Sequence, residues 1–348
     1  EFRLDEPRAF FLRLLALPST GITRRDGGRI LGTGPFRLVS TTLDRVVLER
    51  NPTFYMPGLP LLARVEFQLY QSRRAALEAF TKGQVQVVSY LHAENLKDAG
   101  LDPAEALTVN TPSVWFLAFH AQSAPFDDVR VRRAIRAGLD VRALVDGFHP
   151  GARVAKSLTP PSLLESERVH EPRTDVALAR RLLTEAGHTR VRMTIQYAPD
   201  RDTRDEDKAL FKPLTDAGLV DLEHVEAKDF WERVREGRLA VFRGNWIADV
   251  ADPDNFLYVL LNSKAQSYYG VGYKNAEFDR LTDEARVSID PGLRETLYRK
   301  AESLVREDCV LVPLYHERFH AAASRGVQGL RLHQTPPQVR FEEIWLAS

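Results

Sequence analysis

Apolar positions along the chain switch between two periods. Alternation marks strands at 36–39, 45–50 and 64–70, and shorter apolar runs at 85–88, 114–119, 193–197, 239–242 and 310–315 have the length of strands buried in a sheet. A spacing of three to four predicts helices over 73–82, 127–139, 176–186, 228–236, 278–287 and 294–306. Their ends carry the expected residues. Ser72 precedes the first and Gly83 follows it, Gly187 and Gly237 close two others, and the helix from Asp127 has acids in its first turn and arginines beyond. Residues 1–18 read as a short strand followed by an apolar helical turn that Pro18 ends. Strands interleaved with helices indicate an α/β protein, and no internal repeat or low-complexity segment is present.

Length and charge narrow the class of protein. At 348 residues the chain exceeds one ordinary core, and about 150 residues per domain suggests two lobes. Lys and Arg together number 48, as do Asp and Glu, so no net field favours nucleic acid or an anionic membrane. No nucleic-acid partner is expected. The single cysteine, Cys309, excludes an internal disulfide and any two-thiol metal or redox site. There is also no apolar run of about 18 residues that would cross a membrane. Glu1-Phe2-Arg3-Leu4-Asp5 lacks the pattern of a secretory signal and reads as a chain that begins within a fold.

Four motifs could carry chemistry. His316-Glu317-Arg318-Phe319-His320 matches HExxH, which on a helix presents two imidazoles to zinc with the glutamate as general base. It directly follows a strand-like run containing Pro313, so the extended reading, without a metal, outweighs the metalloprotease one. Gly32-Thr33-Gly34-Pro35 fits a tight turn and matches neither phosphate-binding glycine pattern, and no nucleophile elbow is present. Asp249, Asp252 and Asp254 have the composition of a cation site without the spacing of a calcium loop. Arg243, Trp246 and Asp249 place a base, an aromatic and an acid in one short stretch, which could meet both charges of a zwitterion. Taken alone, surface charges and a packed indole are the favoured explanation of that stretch.

Several segments together resemble the family 5 solute-binding proteins, the dipeptide- and oligopeptide-binding components of ABC importers. They are Gly32-Thr33-Gly34-Pro35-Phe36, Arg50-Asn51-Pro52, the helix ending at Gly83, and Pro125 through Ile135. Further along come Leu183-Thr184-Glu185-Ala186-Gly187, Asp252-Pro253-Asp254-Asn255-Phe256-Leu257, Tyr273 through Asp279, and Val312-Pro313-Leu314-Tyr315. The order and spacing hold along nearly the whole chain.

The resemblance implies an α/β, bilobed type II periplasmic-binding fold that encloses a ligand between lobes, with hinges near 114–119 and 315–319. It implies that residues 1–116 form part of the first lobe, 117–317 a continuous second lobe, and 318–348 a return to the first. A hinge crossing would make the HExxH string extended. In peptide-binding members an aspartate three residues beyond a tryptophan pairs with the ligand's ammonium, and an arginine three residues before it contacts the carboxylate in some. Asp249, Trp246 and Arg243 occupy those places. The implied function is a non-enzymatic receptor, periplasmic or at the cell surface, that captures short peptides, acts as a monomer, delivers to ABC permease subunits and needs no cofactor. The alternative is the ligand-sensing domain of an intracellular transcription regulator, preceded by a DNA-binding module. Relative to the family pattern, the chain is expected to lack the N-terminal segment and much of an additional domain.

Overall fold

The computed structural model describes residues 1–27, 29–165, 170–265, 268–335 and 338–347. The chain divides into two compact units: Glu1–Phe10 with Pro112–Glu317, and Phe11–Thr111 with Arg318–Ser348. Residues 1–10 and 112–116 therefore belong with 117–317, and not with the lobe the sequence assigned them to. No strand forms at 1–4, and these residues are exposed.

The larger unit is built on a six-stranded mixed sheet. Its strands lie in the order Val220–Glu226, Val191–Tyr197, Val241–Ile247, Ser113–Phe119, Leu311–His316 and Arg153–Val154. The first three run parallel and the remaining pairings are antiparallel. Alternation sends successive side chains to opposite faces. Val114, Phe116, Ala118 and Phe242 enter one core, with Phe256, Phe278 and Tyr298 from the helices Asp254–Leu261, Ala276–Val287 and Pro291–Asp308. Leu117, Phe119, Val241 and Ile195 enter the other, against Ile135, Leu144, Leu183 and Phe211. Full burial of each such side chain contributes about 1.5–3 kcal/mol.

Local signals set the helix ends. Asp128 accepts from Arg130 N–H at 2.8 Å to start Val129–Gly138, and Asn275 accepts from both Glu277 and Phe278 N–H at 3.1 Å to start Ala276–Val287. Gly138 lies against Leu214, where any side chain would collide with the helix Arg204–Asp216.

The smaller unit has a three-stranded meander, Phe36–Thr41, Arg45–Arg50 and Arg64–Gln68, and a second sheet ordered Val87–Leu91, Arg318–Ala323, Leu107–Asn110. The helix Arg73–Thr81 begins at Ser72, whose hydroxyl accepts from Ala75 N–H at 3.1 Å. Leu77, Leu91, Leu96 and Ala322 form its core.

Candidate functional site

The three residues singled out from sequence lie on or just after the strand Val241–Ile247. Period two puts Arg243 and Trp246 on opposite faces of that strand. The strand runs to residue 247 and not to 242, so a spacing of three here means separation. Trp246 packs against the core containing Phe256 and Tyr269, with its ring 4.9 Å from Tyr268 in an edge-on contact. Asp249 follows the strand end and is exposed.

One residue ties Trp246 and Asp249 together. Asn255 Oδ1 accepts the indole N–H of Trp246 at 3.0 Å and the backbone N–H of Asp249 at 3.3 Å. The helix Asp254–Leu261 carries this asparagine, and Arg294 fixes the approach to it by donating to both carboxylate oxygens of buried Asp252, at 2.7 and 3.2 Å. Asp254 is buried beside Arg286, 3.4 Å away, and burial pushes its carboxyl up to about 6. Asp252 and Asp254 are thus occupied by arginines, which disposes of the cation-site reading of the three aspartates. No group of three or more metal-ligating side chains is assembled among the described residues. Asp249 is different: its carboxylate has no ion pair or hydrogen bond among the described residues.

Arg243 does not join this site. It is buried, 3% exposed, and its Nη1 lies 2.6 Å from Glu206 Oε2 and 3.2 Å from Asp207 Oδ1. Asp207 also accepts from Thr203 Oγ1 at 2.8 Å and meets His224 Nε2 at 3.2 Å. Glu206 faces His149 Nε2 at 3.1 Å, and that nitrogen is 3.0 Å from the Tyr315 hydroxyl. Burial acts to raise the Glu206 carboxyl, but His149 and Arg243 outweigh it and hold it below its ordinary value. A ligand carboxylate at Arg243 would be a third anion beside one cation. Both acid contacts are made through Nη1, while Nε and Nη2 are buried without a hydrogen-bond partner among the described residues.

The HExxH string is extended, with His316 ending Leu311–His316 and His320 within Arg318–Ala323, so it lacks the helix that zinc ligation requires. His316 is buried, its Nδ1 donating to the Ser113 carbonyl at 2.7 Å, and burial pushes it down to about 4. His320 Nδ1 is 2.9 Å from Thr108 Oγ1 in the smaller unit.

Sequence reasoning passed over Arg201. It lies in the turn after Val191–Tyr197, half-buried, with its guanidinium 4.9 Å from the Trp115 ring centre and 5.5 Å from that of Trp231. Nη1 donates to Asn245 Oδ1 at 3.0 Å. An arginine after a strand that ends in tyrosine, at the carboxyl end of a parallel pair, was the available signal.

Comparison with known proteins places the chain in a class. Residues 1–268 match the bacterial extracellular solute-binding proteins, family 5 Middle, and the chain belongs to that family. The family is one of binding proteins. Among its relatives, heme-binding protein A of Haemophilus influenzae is 26% identical over 86% of this chain, and the periplasmic oligopeptide-binding protein OppA of Salmonella typhimurium is 26% identical over 91%. The matched parts are 57% and 63% of those proteins, so the chain spans less than two thirds of their length. Solved structures show the fold. HbpA2 from Haemophilus parasuis superposes with a TM-score of 0.86 at 21% identity, over 99% of this chain and 73% of that one. DppA from Helicobacter pylori, in complex with the peptide STSA, gives 0.79 at 23% identity, over 100% and 72%. The architecture is accordingly the bilobed periplasmic-binding type.

Proposed function

We propose that this chain forms part of a receptor that captures short peptides by their free amino terminus, at the periplasm or cell surface, for delivery to an ABC permease. Asp249 supplies the counter-charge for the ligand's α-ammonium, and Trp246 with Tyr268 supplies the aromatic wall beside it. The receptor acts as a monomer without a cofactor and carries out no chemistry. One observation carries this reading: Asp249 is an exposed carboxylate without a partner among the described residues, while its own backbone is pinned by Asn255. An enclosed ammonium needs such a partner, because an uncompensated charge removed from water costs several kcal/mol. The peptide-binding relatives support the ligand class, as does the match of Trp246-Ile247-Ala248-Asp249 in spacing.

Isothermal calorimetry with pooled di- to pentapeptides, beside the same pool acetylated at the amino terminus, tests the assignment. Wild type is expected to bind the free amines and not the acetylated pool. Asp249→Asn should weaken free-amine binding by about 100-fold or more. Equal affinity for the two pools, or unchanged affinity in a folded Asp249→Asn variant, would overturn it.

A further inference from the structure

Asp249 stands in a short loop that is pinned on both sides, and the geometry points to Arg294 as the positioning residue that sets where its carboxylate stands. This rests on the peptide reading above and names the residue on which that anchor depends. Ala248 N–H donates to the Pro112 carbonyl at 2.8 Å, which extends the pairing of Val241–Ile247 with Ser113–Phe119. Asp249 N–H donates to Asn255 Oδ1 at 3.3 Å. The second pin is only as well placed as the start of the helix Asp254–Leu261, which carries Asn255. The residue before that helix is Pro253, whose side chain offers no acceptor to cap it. Asp252 does so instead: its Oδ1 accepts Asp254 N–H at 3.1 Å and its carbonyl accepts Asn255 N–H at 3.1 Å.

Arg294 holds Asp252 in turn. Nη2 and Nη1 donate to its two carboxylate oxygens at 2.7 and 3.2 Å, Nε donates to the Ala285 carbonyl at 3.0 Å, and Nη2 also lies 3.4 Å from the Tyr298 hydroxyl. One guanidinium on Pro291–Asp308 therefore joins the last turn of Ala276–Val287 to the start of Asp254–Leu261. The other arginine nearby, Arg286, faces Asp254 at 3.4 Å. Phe256 and Leu257 bury the helix against the core, but hydrophobic contact is non-directional and does not by itself fix a helix along or about its axis. A two-bond pair between guanidinium and carboxylate fixes both distance and plane. Binding groups need to be held within about 0.5 Å of their productive place. The pair thus acts on the ligand through Asn255, besides what it adds to stability.

The test is a double-mutant cycle on the intact chain, read by calorimetry with the tightest-binding free-amine peptide of the di- to pentapeptide pool. Asp252→Asn combined with Arg294→Gln removes both charges of the pair, so that neither is left buried alone. The combination is expected to weaken binding about 10-fold when Asp249 is present and less than about twofold in the Asp249→Asn background. Arg294→Lys keeps the charge without the fork and should lose about threefold, again only when Asp249 is present. A purely structural role would lower the melting temperature and change affinity equally in the two backgrounds. Equal losses in both backgrounds overturn the inference, as does unchanged affinity in the folded neutral pair, or in Arg294→Lys if that pair does not fold. The ammonium reading survives either result as long as Asp249→Asn alone still weakens binding. If Asp249→Asn alone changes nothing, that reading falls and this inference falls with it.

Discussion

Replacing His316 by asparagine should uncouple the larger unit from acid. Asparagine keeps an N–H for the Ser113 carbonyl, which His316 Nδ1 contacts at 2.7 Å, but it cannot titrate. In the folded protein His316 is held neutral down to about 4, against an ordinary value of 6.5. Above pH 6.5 the imidazole is neutral in both the folded and the unfolded chain and adds no pH dependence. As pH falls below 6.5 the unfolded chain takes up a proton that the folded one refuses, so stability drops until about pH 4. A window about 2.5 pH units wide, at about 1.4 kcal/mol per unit, gives a loss of about 3 kcal/mol. Asp254 works the other way. Its folded carboxyl sits at about 6 against 3.8, so the folded state gains stability as pH falls through nearly the same window. The wild-type profile alone would therefore hide the histidine, and the difference between wild type and His316→Asn is the quantity to measure. Urea denaturation at pH 7, 6, 5 and 4.5 suits this purpose, because Trp115, Trp231 and Trp246 all report on the larger unit. At pH 7 the variant should be less stable by about 1–3 kcal/mol, from the smaller side chain in a packed site. That gap should narrow steadily with acid. Parallel profiles would refute the claim that burial keeps this imidazole neutral.

Two further substitutions separate anchoring from support. Asn255→Ala removes the acceptor shared by Trp246 and the Asp249 backbone, and should cost about 1–3 kcal/mol in thermal or urea unfolding together with weaker binding of free-amine peptides. Arg243→Gln leaves Glu206 and Asp207 without their cation and should destabilise by about 3–5 kcal/mol, whereas Asp249→Asn at the exposed site should stay within about 0.5 kcal/mol of wild type.

The architecture was legible because most elements repeat a simple period. The helices Val176–Glu185 and Ala276–Val287 and the strand Val191–Tyr197 fall within two residues of where the pattern puts them at each end. The helix Arg204–Asp216 was missed because its first turn is acidic and polar and Pro213 lies inside it. The strand Val220–Glu226 alternates, but it lies at the sheet edge with polar residues between each apolar one, a pattern that also fits an exposed connection. At the site, reading the strand as ending at Phe242 hid its phase. Extended to Ile247, the same alternation would have placed Arg243 and Trp246 on opposite faces. Glu206, Asp207 and Asn255 could not be found this way, since their roles depend on contacts between elements distant in sequence.

The way the chain passes between units also bears on the order in which they can be completed during synthesis. All six strands of the larger sheet lie between residues 113 and 316, so its hydrogen bonding can close as soon as that stretch has left the ribosome. The second sheet of the smaller unit has Arg318–Ala323 as its middle strand, flanked by Val87–Leu91 and Leu107–Asn110. Those two flanking strands are made some 200 residues earlier and have no bond to each other until the middle one arrives. Translation thus leaves these two early strands waiting on a late one, with their edges unpaired in the interval.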